Sequence, residues 1–583
     1  MSPFLTTHRL YLTPLSPIHI GCGEDFEPTN YVIEDGWLYG FDPSRAVLND
    51  VQRKELDSVA RRNGQKALLD IQHFFHKNAA TFMAHADVLM PVCRGVVQGY
   101  EKRIGQIANM QDDGKPVFNR LEIERHVHTG AQQLPFIPGS SFKGALRTAW
   151  LDELNDGKRP QPADNTQKTS TILERRLLWG EDQRDKLGDF ETSPLRLLKV
   201  ADFMPMSKRE PEREVLFAVD RKKHRIIDPI NGNEVRAQGP TARKECVLSG
   251  QYRLFAADVT LPALLQHAGA TDSKNRPLTP NKQAKGGVDL KRLARQSNDY
   301  HLPRLRDELK MLDARDMVRR DWKRDIDALT SDQSELGRKL TNGDAFLIRL
   351  GRYGGAESKT LSGEGVAHIK IMGETVNGKK QHFFQSTTKT VWLAAQREDE
   401  QNDLIPFGWA IVEIAPQGDC ASLQKWCAAQ SQGRPNMADK RAQLQSQRQA
   451  AEVQKAEQAA QAAARAQAQE AERQAAEQRA QALAQMTPQA KQTEELRQKC
   501  ENWAGKLPPH GNFKKQTPDA NKAGLYQDAA RLVNTALQDA NWSAADKAAL
   551  ADMLEKWLPQ AVALRDIKEQ FKKLKLAQLR SAA

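Results

Sequence analysis

Between residues 8 and 42 the apolar positions come in short alternating runs. Leu10, Leu12 and Leu15 precede a loop containing proline and glycine. Tyr31 and Ile33, then Trp37, Leu38 and Tyr39, flank Asp35-Gly36, which is the pattern of a hairpin. From 45 to 86 the period lengthens, and Leu68, Leu69, Ile71, Phe74 and Phe75 form the stripe of an amphipathic helix. Residues 88–137 are mixed and read as strand-rich. A helix is expected from about Ser141 to Leu154, and 195–220 and 245–261 alternate like strands. Leu305, Leu309 and Leu312 predict a helix with charged flanks. Strands return at 345–350 and 405–415, and globular text ends near 430.

The next stretch has another character. Residues 438–486 hold 18 Ala and 13 Gln in 49 positions, with Leu444, Val453, Leu483 and Met486 as the large apolar residues. Both types favour helix, but so few anchors do not make a leucine seam. The expectation is one long solvated helix of about 70 Å, at about 1.5 Å per residue, broken at Thr487-Pro488. Residues 493–583 carry enough Trp, Leu and Val for a small helical core, and Ser543 with Asp546 has capping-box spacing. The expected organisation is a core in two parts, 1–271 and 341–430, interrupted by a basic helical segment, 272–340. A helical linker, 431–492, and a helical module, 493–583, follow.

Charge sharpens this picture. The chain has 583 residues, 86 Lys and Arg against 74 Asp and Glu, and a net charge of +12. Residues 272–324 alone carry 15 Lys or Arg against 8 Asp or Glu, so +7 of that total sits in one segment. A basic balance favours a polyanionic partner. The first residues lack the basic start, apolar stretch and cleavage site of a signal peptide, and no run of eighteen apolar residues suggests a membrane span. The six cysteines form no C-x-x-C pair, which argues against a zinc ribbon or redox dithiol and suits a reducing cytoplasm.

The most informative stretch is Phe136-Ile137-Pro138-Gly139-Ser140-Ser141-Phe142-Lys143-Gly144-Ala145-Leu146-Arg147-Thr148. It reads as an extended segment, a Gly-Ser turn and a helix start. Free N–H groups and the helix dipole favour an anion there. Ser140 and Ser141 add hydroxyls, Lys143 and Arg147 share a face one turn apart, and Gly139 and Gly144 permit close backbone approach. The order is not that of a Walker A loop. Two readings stand on this physics: a phosphate site, or a capped helix with solvated basic residues.

These residues resemble the glycine-rich signature of the RAMP superfamily, the RNA-binding subunits of CRISPR effector complexes. Further segments resemble that family in the same order. Ser16-Pro17-Ile18-His19-Ile20-Gly21-Cys22-Gly23 is similar to its opening motif. Pro194-Leu195-Arg196-Leu197-Leu198-Lys199-Val200-Ala201-Asp202 is similar to its central motif, with Ser193 where Asp is common. Glu245-Cys246-Val247-Leu248-Ser249-Gly250 resembles the strand that follows. Leu350-Gly351-Arg352-Tyr353-Gly354-Gly355-Ala356-Glu357-Ser358-Lys359-Thr360 and Pro406-Phe407-Gly408-Trp409 resemble the late motifs. The last two are most like the fifth Csm subunit of type III-A complexes. The resemblance covers 8 to about 416 and leaves the tail unassigned.

The resemblance implies an α+β fold: a ferredoxin-like, RRM-like core with helical insertions, here followed by the long helix and the all-α module. It implies that the guide RNA (crRNA) is held by its backbone, largely without base readout. Gly139, Ser140, Ser141, Lys143, Gly144 and Arg147 are the first contact candidates. Gly351, Arg352 and Lys359 are second and Arg196 third, its alternative being an internal ion pair. His19, Gly21 and Gly23 belong to the opening loop. The 272–324 segment is either a lid or thumb-like insertion or a solvated helix pair.

The expected role is non-catalytic, without cofactor or metal. The expected partners are crRNA, other Csm-type subunits and host nucleases that trim crRNA, in the cytoplasm and away from membranes. One rival is a metal-independent endoribonuclease using His19 as general base, although no Lys or Tyr completes the pair by spacing. The other rival is a scaffold that docks CRISPR subunits through its tail. Asp25, Asp112 and Asp113 lack the surroundings of a cleavage aspartate, and Asp112-Asp113-Gly114 reads as a turn. His126 and His128 lack a third ligand and read as surface histidines. Lys568, Lys572, Lys573, Lys575 and Arg580 are either RNA contacts or a solvated helix face.

Overall fold

The computed structural model describes residues 4–62, 65–110, 116–118, 120–130, 132–158, 169–179, 194–206, 210–230, 232–234, 241–262, 289–376, 378–505, 515–518 and 524–581. The chain divides into two compact units, Met1–Ala451 and Glu452–Ala583. In chain order, the elements that build the site are β1 (Leu5–Pro14), β2 (Gly21–Phe26), β3 (Ile123–His126), α1 (Gly139–Asn155), β4 (Arg213–Lys222), β5 (Thr241–Val247), β6 (Phe255–Pro262), α2 (Leu290–Ala314), β7 (Ala345–Arg349), β8 (Thr390–Ala395) and β9 (Trp409–Ile414).

The first sheet runs β6-β1-β9-β7 with antiparallel neighbours, extended beyond β6 by Met204–Pro205 and Lys199–Val200. Its strands β7 and β9 read as nearly continuous apolar runs because both faces are buried. Successive residues feed different cores. Leu10, Leu12, Phe346, Ile348, Ala410 and Val412 face a core closed by Phe142, Leu146 and Trp150 of α1 and Leu290 and Leu293 of α2. Ala345, Leu347, Trp409 and Ile411 face a core shared with Leu305, Leu309, Leu312, Trp322 and the second sheet. That sheet runs Ile405–Pro406, β8, β4, β5, β3, β2, with β5 and β3 parallel and the other neighbours antiparallel.

The basic segment departs from both expectations held for it. Residues 263–288 lie outside the described residues. From Leu290 onward α2 is a core helix, neither a lid nor a solvated pair. Asn298 ties it to the first sheet. Its Nδ2 donates to the carbonyls of Leu340 and Ala345, and its Oδ1 accepts from the Leu347 N–H. The Trp322 indole donates to the Leu15 carbonyl at 2.9 Å. Only the outward charges of the segment gave the sequence its solvated look.

The Asp35-Gly36 hairpin is present, with Glu34 opposite Trp37 and both turn residues at positive φ. The Ala/Gln stretch is one 49-residue helix, Met437–Gln485, whose one buried residue is Leu444. Leu444 packs with Tyr39, Phe41 and Phe74, and Arg434 pairs with Glu212, so order in the first unit continues past 430. Among the described residues of the second unit, five helices between Pro488 and Ser581 surround Leu496, Val533, Trp542, Leu550, Leu554 and Leu558. Both hydrogen bonds of the Ser543–Asp546 capping box form. There Arg580 pairs with Asp552 and Glu555, and Lys573 with Glu569. Among the described residues no helix is long and apolar enough to cross a membrane.

Candidate nucleic-acid interface

Three loops distant in sequence pack together beside a cleft of roughly 740 Å³. Their backbones hold one another. Gly408 N–H donates to the Pro17 carbonyl at 2.9 Å and Leu350 N–H to the Gly408 carbonyl at 2.8 Å. Trp409 N–H donates to Ser16 Oγ, and its indole donates to Glu308, which also pairs with Arg349. Gly351 has φ +89°, and a Cβ there would fall on the His19 carbonyl oxygen. That approach brings the Gly351–Lys359 loop against the opening loop.

The cleft is lined by Gly21, Gly23, Glu24 and Asp25 from β2, and by Glu124 and Arg125 from β3. Ser141, Gly144, Ala145 and Thr148 line it from α1, and Arg349, Gly351, Arg352, Ser358 and Lys359 from the late loop. Gly21, Gly23, Ser141, Gly144, Gly351, Arg352 and Lys359 are thus brought together as the sequence suggested. Gly139, Ser140, Lys143, Arg147 and His19 do not line it.

The α1 residues separate by helical phase. The lining positions are i, i+3, i+4 and i+7 from Ser141, one helix face. Lys143 and Arg147 lie on the neighbouring face. The Lys143 ammonium donates to the Leu198 carbonyl at 2.8 Å. Its partial burial, then the nearby Arg147, push its pKa down. Arg147 is ion-paired with Glu174. These two residues are therefore corrected from cleft cations to helix-packing groups.

The start of α1 is also occupied from within. The Gly139 N–H donates to Asp202 Oδ1 at 2.7 Å, so a carboxylate of the chain sits where an external phosphate was expected. A Cβ on Gly139 would lie 2.6 Å from the Val200 carbonyl oxygen, so this glycine serves packing against the central motif. Ser140 is exposed but outside the cleft. Arg196 falls on the short turn Pro194–Leu197, and its side chain lies outside the described residues.

His19 is wholly buried at its side chain. Its Nδ1 lies 2.8 Å from the Glu245 carbonyl oxygen, which can only accept, so Nδ1 carries a proton. Its Nε2 is 3.8 Å from Glu124 Oε2. The ring is a floor beneath the cleft, and it is corrected from an RNA contact to a support. Glu124 joins floor and opening. It pairs with the buried Lys244 and lies 3.5 Å from the exposed Arg352. The His19 ring first, then Lys244, hold the Glu124 carboxyl down at about 2 against its partial burial.

His126 and His128 are not surface histidines. Burial takes His126 down to about 4, and the nearly buried His128 has Nε2 3.4 Å from Glu24. Among the described residues no group of three His, Cys, Asp or Glu is placed to hold a metal. Asp112 and Asp113 lie outside the described residues. Asp25 lines the cleft.

Most cations near the cleft are spent on carboxylates. Arg349 pairs with Glu308, and Arg125 lies 3.3 Å from Glu24. Lys359 is exposed and is in no ion pair among the described residues. Arg352 is 70% exposed, with Glu124 its one ion partner among the described residues. The free positive charge of the cleft therefore sits on the late loop. Sequence reasoning missed Glu124, Arg125, Thr148 and Ser358. Thr148 was available from helical phase, whereas the β3 residues belong to no recognised motif.

The RAMP superfamily model matches residues 11–261. Over that stretch the chain is similar to the RAMP superfamily. The CRISPR system Cms protein Csm5 of Mycobacterium tuberculosis (strain CDC 1551 / Oshkosh) is 27% identical over 173 residues, 28% of this chain and 43% of the relative. The protein of the same name from Methanocaldococcus jannaschii is 28% identical over 147 residues, 25% of this chain and 31% of the relative. The chain thus spans less than half the length of these curated relatives. Among solved structures, a chain of the Csm-crRNA-target RNA ternary complex of a type III-A CRISPR-Cas system is 17% identical. It has a TM-score of 0.42 and aligns over 70% of this chain and 100% of its own length. T. onnurineus Csm5 is 15% identical, with a TM-score of 0.38, over 69% of this chain and 99% of its own.

Proposed function

We propose that this protein is a RAMP-superfamily member and the non-catalytic crRNA-binding subunit of a type III-A Csm complex. It caps the complex at the crRNA 3′ end and supports crRNA maturation and antiviral defence. Its partners are crRNA, neighbouring Csm subunits and the host nucleases that trim crRNA, in the cytoplasm. The strands β6-β1-β9-β7 with α1 and α2 are its ferredoxin-like core. The observation that carries the reading is the convergence of the opening, α1 and late-loop motifs on one cleft whose exposed cations are Arg352, beside Glu124, and Lys359. The curated relatives named Csm5 support the choice of subunit.

Backbone phosphates meet side chains suited to them there: one ammonium, one guanidinium, the Ser141, Thr148 and Ser358 hydroxyls, and the open surface at Gly144. All of these can contact phosphate oxygens, which fits binding by charge and shape. The burial of His19, with one nitrogen committed to a carbonyl, weighs against a general base that must touch a ribose hydroxyl.

The test is the salt dependence of RNA binding by the full chain and by Arg352→Ala/Lys359→Ala. Each lost phosphate contact lowers the slope of log K against log salt by about 0.7 for a single strand, so the double variant should lose about 1.4. Co-purification with the neighbouring subunits and a CRISPR array should yield guides with a defined 3′ end, blurred in the double variant. An unchanged slope and unchanged guide ends would move the contacts elsewhere.

A further inference from the structure

Behind the Gly351–Lys359 loop lies a second cavity, of roughly 860 Å³. We propose that it receives one unstacked nucleobase of the bound RNA strand, an inference that rests on the RNA-binding reading above. Its apolar wall is made by Tyr353, Trp392, Met311 and Val391. The Tyr353 and Trp392 rings lie 5.2 Å apart, tilted by 50°. Tyr353 is fixed by Phe407 at 5.2 Å and by the buried Lys244 ammonium at 5.3 Å from its ring. Trp392 is only half-buried, so part of its π-surface is open. The volume falls in the range of small-ligand sites, and a base stacks on aromatic faces whatever its sequence.

What selects a nucleotide is the charge on either side. Arg352, Ser358 and Lys359 line both this cavity and the first cleft. On the opposite side His224, Thr387 and Thr388 line both this cavity and a third one, of roughly 550 Å³, which also takes in Lys222 and Lys389. Lys222, His224, Lys359 and Lys389 are in no ion pair among the described residues. An aromatic recess between two cationic, hydroxyl-bearing stations repeats the order phosphate, base, phosphate along a strand.

The experiment is an abasic scan. Single-stranded RNA oligonucleotides, each lacking one base at successive positions, are titrated against the full chain by fluorescence anisotropy. One position should lose about 5- to 150-fold in affinity, the range of one base–aromatic stack. That penalty should disappear in Trp392→Ala and persist in Trp392→Phe, with the salt slope unchanged in both. Lys222→Ala/Lys389→Ala should lower the slope and leave the penalty in place, a readout independent of whether Trp392→Ala folds. A flat scan with a steep salt slope overturns the base recess and leaves the RNA reading standing. Absence of RNA binding at any salt overturns the RNA reading, and the recess with it. Quenching of Trp392 by an acidic aromatic peptide, without release of bound RNA, gives the recess to a protein ligand and overturns the inference.

Discussion

Glu124→Gln isolates the charge that links the cleft to its floor. Lys244 is fully buried and holds Glu124 as its ion partner among the described residues. Removing one partner of a buried pair costs about 3–5 kcal/mol, because the other charge is left uncompensated. Glu124 keeps about a third of its surface in water, so the cost should be about 2 kcal/mol after that screening. Lys244→Met is the complementary change. It leaves Glu124 with Arg352 and solvent, and should cost about 1 kcal/mol or less, as an apolar replacement of a buried cation often does. The double variant should be no less stable than Lys244→Met, giving a coupling of about 2 kcal/mol. The assay is urea unfolding of the full chain, following the fluorescence transition of the unit Met1–Ala451. If Glu124→Gln is neutral, or if the two single losses simply add, the pair does not carry the floor and this reasoning fails.

Three further outcomes follow. Gly351→Ala must place a Cβ at positive φ against the His19 carbonyl, so it should lower thermal stability and weaken RNA binding together, as read by scanning calorimetry and anisotropy; normal values in both would refute the loop packing. Lys143→Ala/Arg147→Ala should leave the salt slope of RNA binding unchanged, since both groups are committed within the α1 packing; a loss of about 1.4 in slope would return them to the interface. Burial holds the folded pKa of His126 near 4, below its ordinary 6.5, so the unfolded chain binds the extra proton first. Stability should therefore be full above pH 6.5 and decline as pH falls toward 4, and His126→Gln should flatten that decline in urea midpoints measured across the window.

Much of this was legible because motifs mark where backbones must meet. Gly351 and the Gly408-Trp409 pair were visible in sequence and are where the loops close on one another, while Gly21 and Gly23 line the cleft. What escaped was direction. Lys143 and Arg147 carry the charge of the glycine-rich motif, but helical phase gives the cleft to Ser141, Gly144, Ala145 and Thr148. The helix start looked open to an anion because Asp202, its partner, is 63 residues away in sequence. The segment after 289 looked solvated because its outward charges outnumber the leucines that bury α2. Charge counts report what a segment carries, and packing decides where each charge goes.

The sheet β6-β1-β9-β7 has a consequence for how such a chain can change length. Trp409 and Ile411 serve one core while Ala410 and Val412 serve the other. Inserting a single residue into β9 would exchange the two sets, driving an indole into a space shaped for a methyl group and leaving a void opposite. Two-residue changes keep the faces but shift every hydrogen-bonded partner. Growth and loss of sequence are therefore confined to the connections, and the strand interiors act as fixed rulers between them.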